Sequence, residues 1–242
     1  MGCDQNRAKT RKIVQTIPND HEKLAWREGQ TVLGVDEVGR GCLAGPLVAA
    51  AVILPIWATR SIKSRMLRDS KLMTALQREE AYEWIVAQCR YGVGIIHPRA
   101  IDRVNIWHAT LLAMKRAIFG LFATNPAMQK PQVILVDAMP VNLFESAAYA
   151  DIPVLSFPRA EQQSSSVAAA SIVAKVTRDR LMERLASSFP AYALEQHKGY
   201  ATKIHRGAIS ADGHAIIHRL SFLRSNKQKE ERDDRGRQGT IC

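Results

Sequence analysis

Cysteine is scarce in this chain of 242 residues, and the few cysteines are scattered. The four are Cys3, Cys42, Cys89 and Cys242, and no two of them form a C-x-x-C pair. Such spacing argues against both a disulfide framework and a cysteine-based zinc site. It favours free thiols in a reducing compartment.

Signals for secretion and membrane insertion are also missing. The N-terminus is polar and of mixed charge, which is unlike a signal peptide. Residues 41–59 carry no charge and approach the length of a membrane span, but Pro46 and Pro55 bound the apolar run Leu47–Leu54. A buried strand is the better interpretation of that run. We therefore expect a soluble, cytoplasmic protein with no membrane anchor.

Neither of the two common nucleotide-binding fingerprints is complete. There is no G-x-x-x-x-G-K-[ST] motif. The segment Gly39–Gly45 resembles a dinucleotide loop, but its third glycine comes one residue late and an extended apolar run follows where a helix should begin. A nucleotide hydrolase and a dinucleotide-binding enzyme are therefore not expected.

Acidic residues are outnumbered by basic ones. The chain has 34 Lys and Arg against 23 Asp and Glu, a formal net charge of +11. An excess of this size favours an anionic partner, of which nucleic acid is the commonest, although a solubilising surface charge is the alternative. A hydrophobic content of 46% is enough for a sizeable core.

Composition divides the chain into one folded domain and two tails. Residues 1–23 are polar and form a predicted flexible tail, with a cluster of basic residues at Arg7, Lys9, Arg11 and Lys12. Residues 24–223 form the predicted domain, whose C-terminal helices begin at about residue 190. Residues 224–242 are charged, lack apolar periodicity and form a predicted disordered tail.

Apolar periodicity inside the domain predicts alternating strands and helices. The predicted strands are residues 31–38, 47–54, 91–96, 131–136 and 153–157. The predicted helices are residues 74–88, 105–122, 164–188, 200–210 and 213–220. This order is typical of an α/β layer fold with a mixed sheet.

Carboxylates follow three of the predicted strands. Asp36 and Glu37 end the first strand, Asp137 follows the fourth and Glu161 lies just after the fifth. Functional side chains of an open α/β sheet gather at strand ends. Carboxylates without cysteine or histidine companions suit a hard ion such as Mg²⁺ or Mn²⁺. A lone Asp after a strand, such as Asp137, is more often a turn or helix cap than a metal ligand, but two adjacent acids in an apolar context are hard to explain structurally.

Other polar residues have a simpler structural interpretation. Asp179 is flanked by arginines on a predicted helix, which favours a solvated ion pair. The serines from Ser164 to Ser166 open a helix and are typical of an N-cap rather than a nucleophile. His197 could be a general acid, but a structural role is preferred.

Six segments, taken together and in this order, resemble bacterial ribonuclease HII, the type 2 ribonuclease H. The resemblance runs from about Leu24 to Phe222. The segments that carry it are Gly34–Gly41 (GVDEVGRG), Asp69–Lys71 (DSK), Asn105–Thr110 (NIWHAT), Val136–Asp137, Ala168–Asp179 (AAASIVAKVTRD) and His197–Tyr200 (HKGY).

The resemblance implies a ribonuclease H-like fold, a mixed sheet flanked by helices with a C-terminal helical extension. It also implies metal-dependent cleavage of the RNA strand of RNA–DNA hybrids, and cleavage 5′ of ribonucleotides embedded in duplex DNA. The ends would be a 5′-phosphate and a 3′-hydroxyl, as in ribonucleotide excision repair. A monomer that needs Mn²⁺ or Mg²⁺ is expected.

Site residues follow from the same resemblance. The metal-binding catalytic acids map to Asp36, Glu37, Asp137 and Glu161, of which Glu161 stands where the family usually has Asp. Two metal ions roughly 4 Å apart, bridged by Asp36, would activate a water and stabilise the leaving oxygen.

The substrate-binding residues would be Gly39, Arg40 and Gly41 at the 2′-hydroxyl, Tyr200 at the sugar, and Lys71, Lys175 and Lys198 at phosphates. Surface lysines and a core tyrosine remain the alternatives for Lys175, Lys198 and Tyr200. The rival functions are a non-catalytic nucleic-acid binder on the same fold and another ribonuclease H-like nuclease.

Overall fold

The computed structural model describes residues 17–59, 67, 69–140 and 149–224. Five strands form one sheet: β1 (Val32–Val38), β2 (Leu47–Ile53), β3 (Arg90–Ile96), β4 (Val133–Asp137) and β5 (Val154–Phe157). The helices are α1 (Asp20–Arg27), α2 (Ile56–Thr59), α3 (Ala75–Gln88), α4 (Pro98–Thr124), α5 (Ser165–Ser188), α6 (Leu194–His197) and α7 (Lys203–Asp212). Short 3₁₀ turns occupy Ser70–Leu72, Ala160–Gln162 and Pro190–Tyr192.

The sheet is mixed, with strand order β3-β2-β1-β4-β5. The first three strands form an antiparallel meander, while β4 lies parallel to β1 and β5 parallel to β4. The predicted α/β fold with a mixed sheet is confirmed. Because β1 and β4 run in the same direction side by side, their carboxyl ends reach the same edge of the sheet.

Alternation along β2 separates two layers of core. Leu47, Ala49 and Ala51 pack toward α4, whereas Val48 and Ala50 pack toward α3 and α5. Since every residue of β2 is buried, the strand is covered on both faces. The uncharged run at residues 47–54 is therefore a central strand, and no helix within the described ranges has the length and apolarity to cross a membrane.

Glycine sets how closely the helices approach the sheet. A Cβ atom on Gly34 of β1 would lie 2.1 Å from the backbone carbon of Ser166 in α5, and one on Gly94 of β3 would lie 1.9 Å from the Ala113 oxygen in α4. Any residue other than glycine would fit at these two positions only after a shift of the backbone. The alanine-rich stretch of α5 from Ser165 to Ala174, which is wholly buried, makes the same close packing possible.

Helix α1 was missed by the sequence prediction, and it caps α5. Asn19 Oδ1 accepts a hydrogen bond from the Ser165 amide (2.7 Å), and buried Glu22 accepts from the Ser166 amide (3.2 Å) and the Ser164 hydroxyl. Ser164 itself accepts from the Val167 amide, as predicted for an N-cap. The predicted tail boundary at residue 24 therefore falls inside a helix that is part of the fold. Residues 1–16 and 225–242 lie outside the described residues.

Two of the predicted helices differ from those in the structure. Helix α4 starts at Pro98, seven residues before the predicted start, and its backbone is non-helical at Asn105 (φ 64°, ψ 168°). The predicted helix at residues 213–220 is absent over 213–219: the chain turns there and His218 forms a β-bridge with Ala44. That pairing uses backbone groups that a helix would need for itself.

Candidate active site

Asp36 and Asp137 lie at the shared edge of β1 and β4. Val35 pairs with Val136 across these parallel strands, so the next residues, Asp36 and Asp137, come side by side. Asp137 Oδ1 accepts a hydrogen bond from the Ala160 amide (3.0 Å), which ties the end of β4 to the 3₁₀ turn that holds Glu161. The acids from three sequence regions therefore meet at one edge of the sheet.

Burial and mutual repulsion disfavour the ionised form of these acids. Asp36 is only 7% exposed and Glu161 only 3%. Burial, followed by the Glu37 charge, raises the pKa of Asp36 well above its usual range. Burial raises the pKa of Glu37 to about 7, with Asp137 adding to the effect, and it also raises the pKa of Glu161. A bound cation would reverse this penalty.

Two carboxylate oxygens at this edge are buried without a hydrogen-bond partner: Oε2 of Glu37 and Oε2 of Glu161. Buried polar atoms of this kind call for an explanation, and an oxygen-loving cation supplies one. No group of three or more His, Cys, Asp or Glu side chains within the described ranges already encloses a metal position. The donor set suits Mg²⁺ or Mn²⁺, but its members are not drawn together around a point.

The DSK segment contributes to the same edge. Lys71 Nζ lies 3.9 Å from Glu161 Oε1, and the carboxylates around it, Glu161 first, raise its pKa against the opposing effect of burial. Asp69 caps the turn by accepting a hydrogen bond from the Lys71 amide (2.9 Å). Ser70 bonds to Ser171 of α5 (2.9 Å), and Ser171 in turn bonds to Asp36.

The Gly39–Gly41 turn follows the acids directly. Arg40 Nη1 lies 4.0 Å from Glu37 Oε1, and its guanidinium lies 5.7 Å from the Trp107 ring centroid. Gly39 has φ 87°, and a Cβ there would collide with Arg178. A Cβ on Gly41, in contrast, would meet no atom of the described protein within 4 Å. Gly41 therefore leaves space on the outside of the fold.

Two fully buried arginines hold this turn from beneath. Arg178 donates to the carbonyl oxygens of Pro46 (2.8 Å), Ala44 (3.1 Å) and Lys198 (2.8 Å), so it joins the Gly39–Pro46 segment to the HKGY loop. Arg219 donates to Arg40 O (3.1 Å) and twice to Gly45 O. Within the described ranges both guanidiniums donate to carbonyl oxygens and neither forms an ion pair with a carboxylate, so their charges add to the positive potential of the site.

Tyr200 lies beside Arg178 and Lys175 of α5. Its side chain is 40% exposed, and its ring centroid is 5.7 Å from Lys175 Nζ and 5.8 Å from the Arg178 guanidinium. Tyr200 is therefore not packed in the core, which was the alternative to a substrate-facing position. Lys175 forms an ion pair with Asp179 (2.8 Å) and Lys198 one with Glu183 (2.9 Å).

No role was predicted from the sequence for several residues around the site, although those in the DSK segment and in α5 belong to segments that carry the resemblance. They are Asp69, Ser70, Ser171, Arg178, Arg219, His205 and His218. Arg178 stands next to Asp179 in the TRD segment, but only the folded chain shows that it is buried and binds three carbonyls. His197, for which a structural role was preferred, is buried and uses both ring nitrogens in hydrogen bonds to Gly199 and Tyr192.

The mixed sheet, with acids at the adjacent ends of its two central strands, defines a ribonuclease H-like protein. The structure is similar to that of RNase HII from Archaeoglobus fulgidus in its complex with PCNA (27% identity, TM-score 0.59, covering 78% of this chain and 94% of that one). It is also similar to Bst-RNase HIII in complex with Mn²⁺ (23% identity, TM-score 0.64, covering 85% and 72%).

The sequence narrows the class to one family. Residues 33–225 match the sequence model of Ribonuclease HII. The chain is 42% identical over 205 residues to Ribonuclease HII of Alkaliphilus metalliredigens, covering 84% of this chain and 95% of the relative. It is 45% identical over 204 residues to that of Bacillus cereus strain Q1, covering 84% and 73%. The chain belongs to the ribonuclease HII family and is a ribonuclease H endonuclease, a phosphodiester hydrolase that acts on RNA–DNA hybrids.

Proposed function

We propose that this ribonuclease also cuts 5′ of single ribonucleotides embedded in duplex DNA, leaving 5′-phosphate and 3′-hydroxyl ends. The observation that carries the proposal is the position of the Gly39–Gly41 turn. It continues directly from the acid pair, and no described atom lies within 4 Å of a Cβ built on Gly41, so the space beside the turn is open there. Only the 2′-hydroxyl distinguishes one ribonucleotide from its deoxy neighbours, so a backbone surface next to the scissile phosphate is where it must be read.

Asp36, Glu37, Asp137 and Glu161 would hold the divalent cations, Mg²⁺ or Mn²⁺. The unpartnered buried oxygens of Glu37 and Glu161 and the all-carboxylate donor set support this assignment. Such cations, when bound, activate a water and stabilise the leaving 3′ oxygen. The protein's own part is to hold Asp36 through Ser171 and Asp137 through the Ala160 amide.

Substrate contacts fall to the residues around the turn. Gly39, Arg40 and Gly41 would contact the ribose and its phosphate, and the exposed ring of Tyr200 would stack on the neighbouring sugar. Lys71, three-quarters exposed beside Glu161, would contact a phosphate. Lys175 and Lys198 are ion-paired, so each would reach a phosphate only by exchanging its carboxylate partner. We propose that a monomer carries the whole site and works without a membrane.

A duplex DNA that contains one ribonucleotide tests the proposal, with Mg²⁺ or Mn²⁺ and with EDTA. We expect a single cut 5′ of the ribonucleotide, none in the all-DNA duplex, and none with EDTA. Binding without cleavage would favour the non-catalytic rival, and equal cutting of the all-DNA duplex would favour another ribonuclease H-like nuclease. The variant Asp36→Asn should lose cleavage and still bind, whereas the matched control Asp20→Asn, on the exposed side of α1, should cleave normally.

A further inference from the structure

Three buried histidines lie behind the HKGY loop and form a histidine cluster: His197, His205 and His218. Their exposed fractions are 7%, 0% and 2%. The rings of His197 and His205 stack with centroids 4.3 Å apart, and His205 Nε2 lies 3.1 Å from His218 Nε2. Each comes from a different part of the chain: the end of α6, α7 and the bridge to Ala44.

Backbone partners fix where the protons of the cluster lie. His218 Nδ1 lies 2.9 Å from the Ala215 amide and 3.2 Å from the Ala215 carbonyl oxygen. With the nearer amide as donor to Nδ1, the proton of His218 is on Nε2 and is donated to His205 Nε2. His205 therefore carries its proton on Nδ1, which donates to the Tyr200 carbonyl (3.0 Å). His197 accepts from the Gly199 amide (3.1 Å) and donates to the Tyr192 carbonyl (2.8 Å). Three neutral rings satisfy every one of these bonds.

The histidine cluster binds the HKGY loop where the loop backbone has an unfavourable conformation. Lys198 has φ 50° and Gly199 has φ 84°, and both values lie in the left-handed region that a lysine seldom adopts. His197 binds the amide of Gly199 and His205 binds the carbonyl of Tyr200, so the Lys198–Gly199 and Tyr200–Ala201 peptide groups are both held. The Tyr200 ring, 40% exposed, projects from this fixed backbone.

We propose that His205 and His218 are positioning residues that act through Tyr200. The chain of hydrogen bonds from the Ala215 amide through His218 and His205 fixes the position of the Tyr200 carbonyl. It thereby fixes the orientation of the Tyr200 ring, which contacts the sugar beside the ribonucleotide. This inference rests on the proposed contact of Tyr200 with substrate. Among the described residues, no hydrogen bond or ring contact joins either histidine to the four acids.

A double-mutant cycle separates this role from general structural support. His205→Phe keeps a ring and removes both hydrogen bonds. We expect cleavage at a single embedded ribonucleotide to fall about tenfold in the native background, the effect of losing the hydrogen bond to the Tyr200 carbonyl, and less than about twofold in a Tyr200→Ala background. An equal fall in both backgrounds would overturn the proposal. His205→Asn, whose amide can occupy the Nδ1 position, should restore most of the rate.

Unmodified protein serves as the reference that keeps the two proposals apart. If it fails to cut the embedded ribonucleotide, the proposed function fails. If it cuts and Tyr200→Ala slows it, only the cycle decides the role of the histidines. Should His205→Phe fail to fold, the cycle is run with His218→Asn, which removes the donor to His205 Nε2, in the native and the Tyr200→Ala backgrounds. Nitrogen-15 NMR of the native imidazoles must also find His205 protonated on Nδ1 and His218 on Nε2, and the opposite tautomers would overturn the proposal.

Discussion

Arg178 lies directly beneath Gly39, with its Nε atom 2.1 Å from where a Cβ on Gly39 would stand. Two glycines that look equivalent in the GRG turn therefore have different reasons to be glycine. Gly39 has a positive φ and a guanidinium below it, whereas the space beside Gly41 is open. The first is required by the protein, and we assign the second to the substrate.

Alanine substitution at the two positions should therefore separate stability from activity. Gly39→Ala should lower the free energy of unfolding by about 1–3 kcal/mol, because the backbone is strained and Arg178 must move. Gly41→Ala should change stability by less than about 0.5 kcal/mol and still lower cleavage at an embedded ribonucleotide. Urea unfolding and single-turnover cleavage measure the two effects. Normal cleavage by a stable Gly41→Ala protein would remove Gly41 from the substrate surface.

Replacing Arg178 by lysine should be costly although the charge is kept. Lysine cannot reach the carbonyls of Pro46, Ala44 and Lys198 together, and each buried carbonyl left alone costs about 1–3 kcal/mol. We expect a marked loss of stability and weaker cleavage through a looser HKGY loop. Arg180→Lys is the matched control on the same helix, since Arg180 pairs with Glu79 and Glu83 at the surface. Equal losses of stability and cleavage in the two variants would contradict the role of Arg178 in joining the turn to the HKGY loop.

Glu161 tests whether a longer acid serves as the fourth ligand. Glu161→Asp should keep or raise cleavage, and Glu161→Ala should reduce it sharply, because the carboxylate is buried beside Lys71 with an unpartnered oxygen. The metal concentration for half-maximal cleavage should rise in the alanine variant. An alanine variant with normal rate and normal metal dependence would exclude Glu161 from the site.

The histidine cluster should make folding sensitive to mild acid. Burial, helped by His205 and His214, lowers the pKa of His218 to about 4. A group whose pKa is lowered by folding stabilises the fold fully above its unfolded pKa of about 6.5, and this stabilisation is lost progressively as pH falls toward 4. Between pH 7.5 and 5 the loss attributable to His218 should be about 2 kcal/mol.

The measurement compares native protein with His218→Asn by urea unfolding at both pH values. Comparison is needed because Glu37, with its pKa raised to about 7, acts in the opposite sense and stabilises the fold as pH falls through 7. The variant should be less stable at pH 7.5 and should lose less stability on acidification. Parallel pH dependence in the two proteins would show that His218 is not the titrating group.

Local patterns explain what was predictable from the sequence. Strands β1 and β2 were predicted closely because their apolar runs are bounded by acids, glycines and prolines, and Ser164 was identified as an N-cap. Placing Asp36 beside Asp137 needed only the rule that parallel strands share an edge. The ribonuclease H-like fold is confirmed, while the roles of individual site residues remain predictions.

Long-range contacts explain what was missed. Helix α1 is only eight residues long and mostly polar, and its buried Glu22 binds the N-terminus of α5, more than a hundred residues away. The extra turns of α4 precede Asn105, whose backbone conformation interrupts the helical pattern. Nothing near Arg178 or His218 in the sequence tells that Ala44 and Tyr200 lie against them. These residues are defined by partners that only folding supplies.

Helix α5 carries Ser171, which bonds to Asp36, and seven residues later Arg178, which binds the loops around the ribose-reading turn. Seven residues are almost two turns at about 3.6 residues per turn, so both side chains leave the helix on one face. A single residue inserted between them would swing one about 100° away from the other. The spacing of Ser171 and Arg178 along α5 therefore determines how far the acids at the phosphate lie from the turn at the sugar. We expect lineages of this enzyme to vary in loop length while keeping that spacing at seven residues.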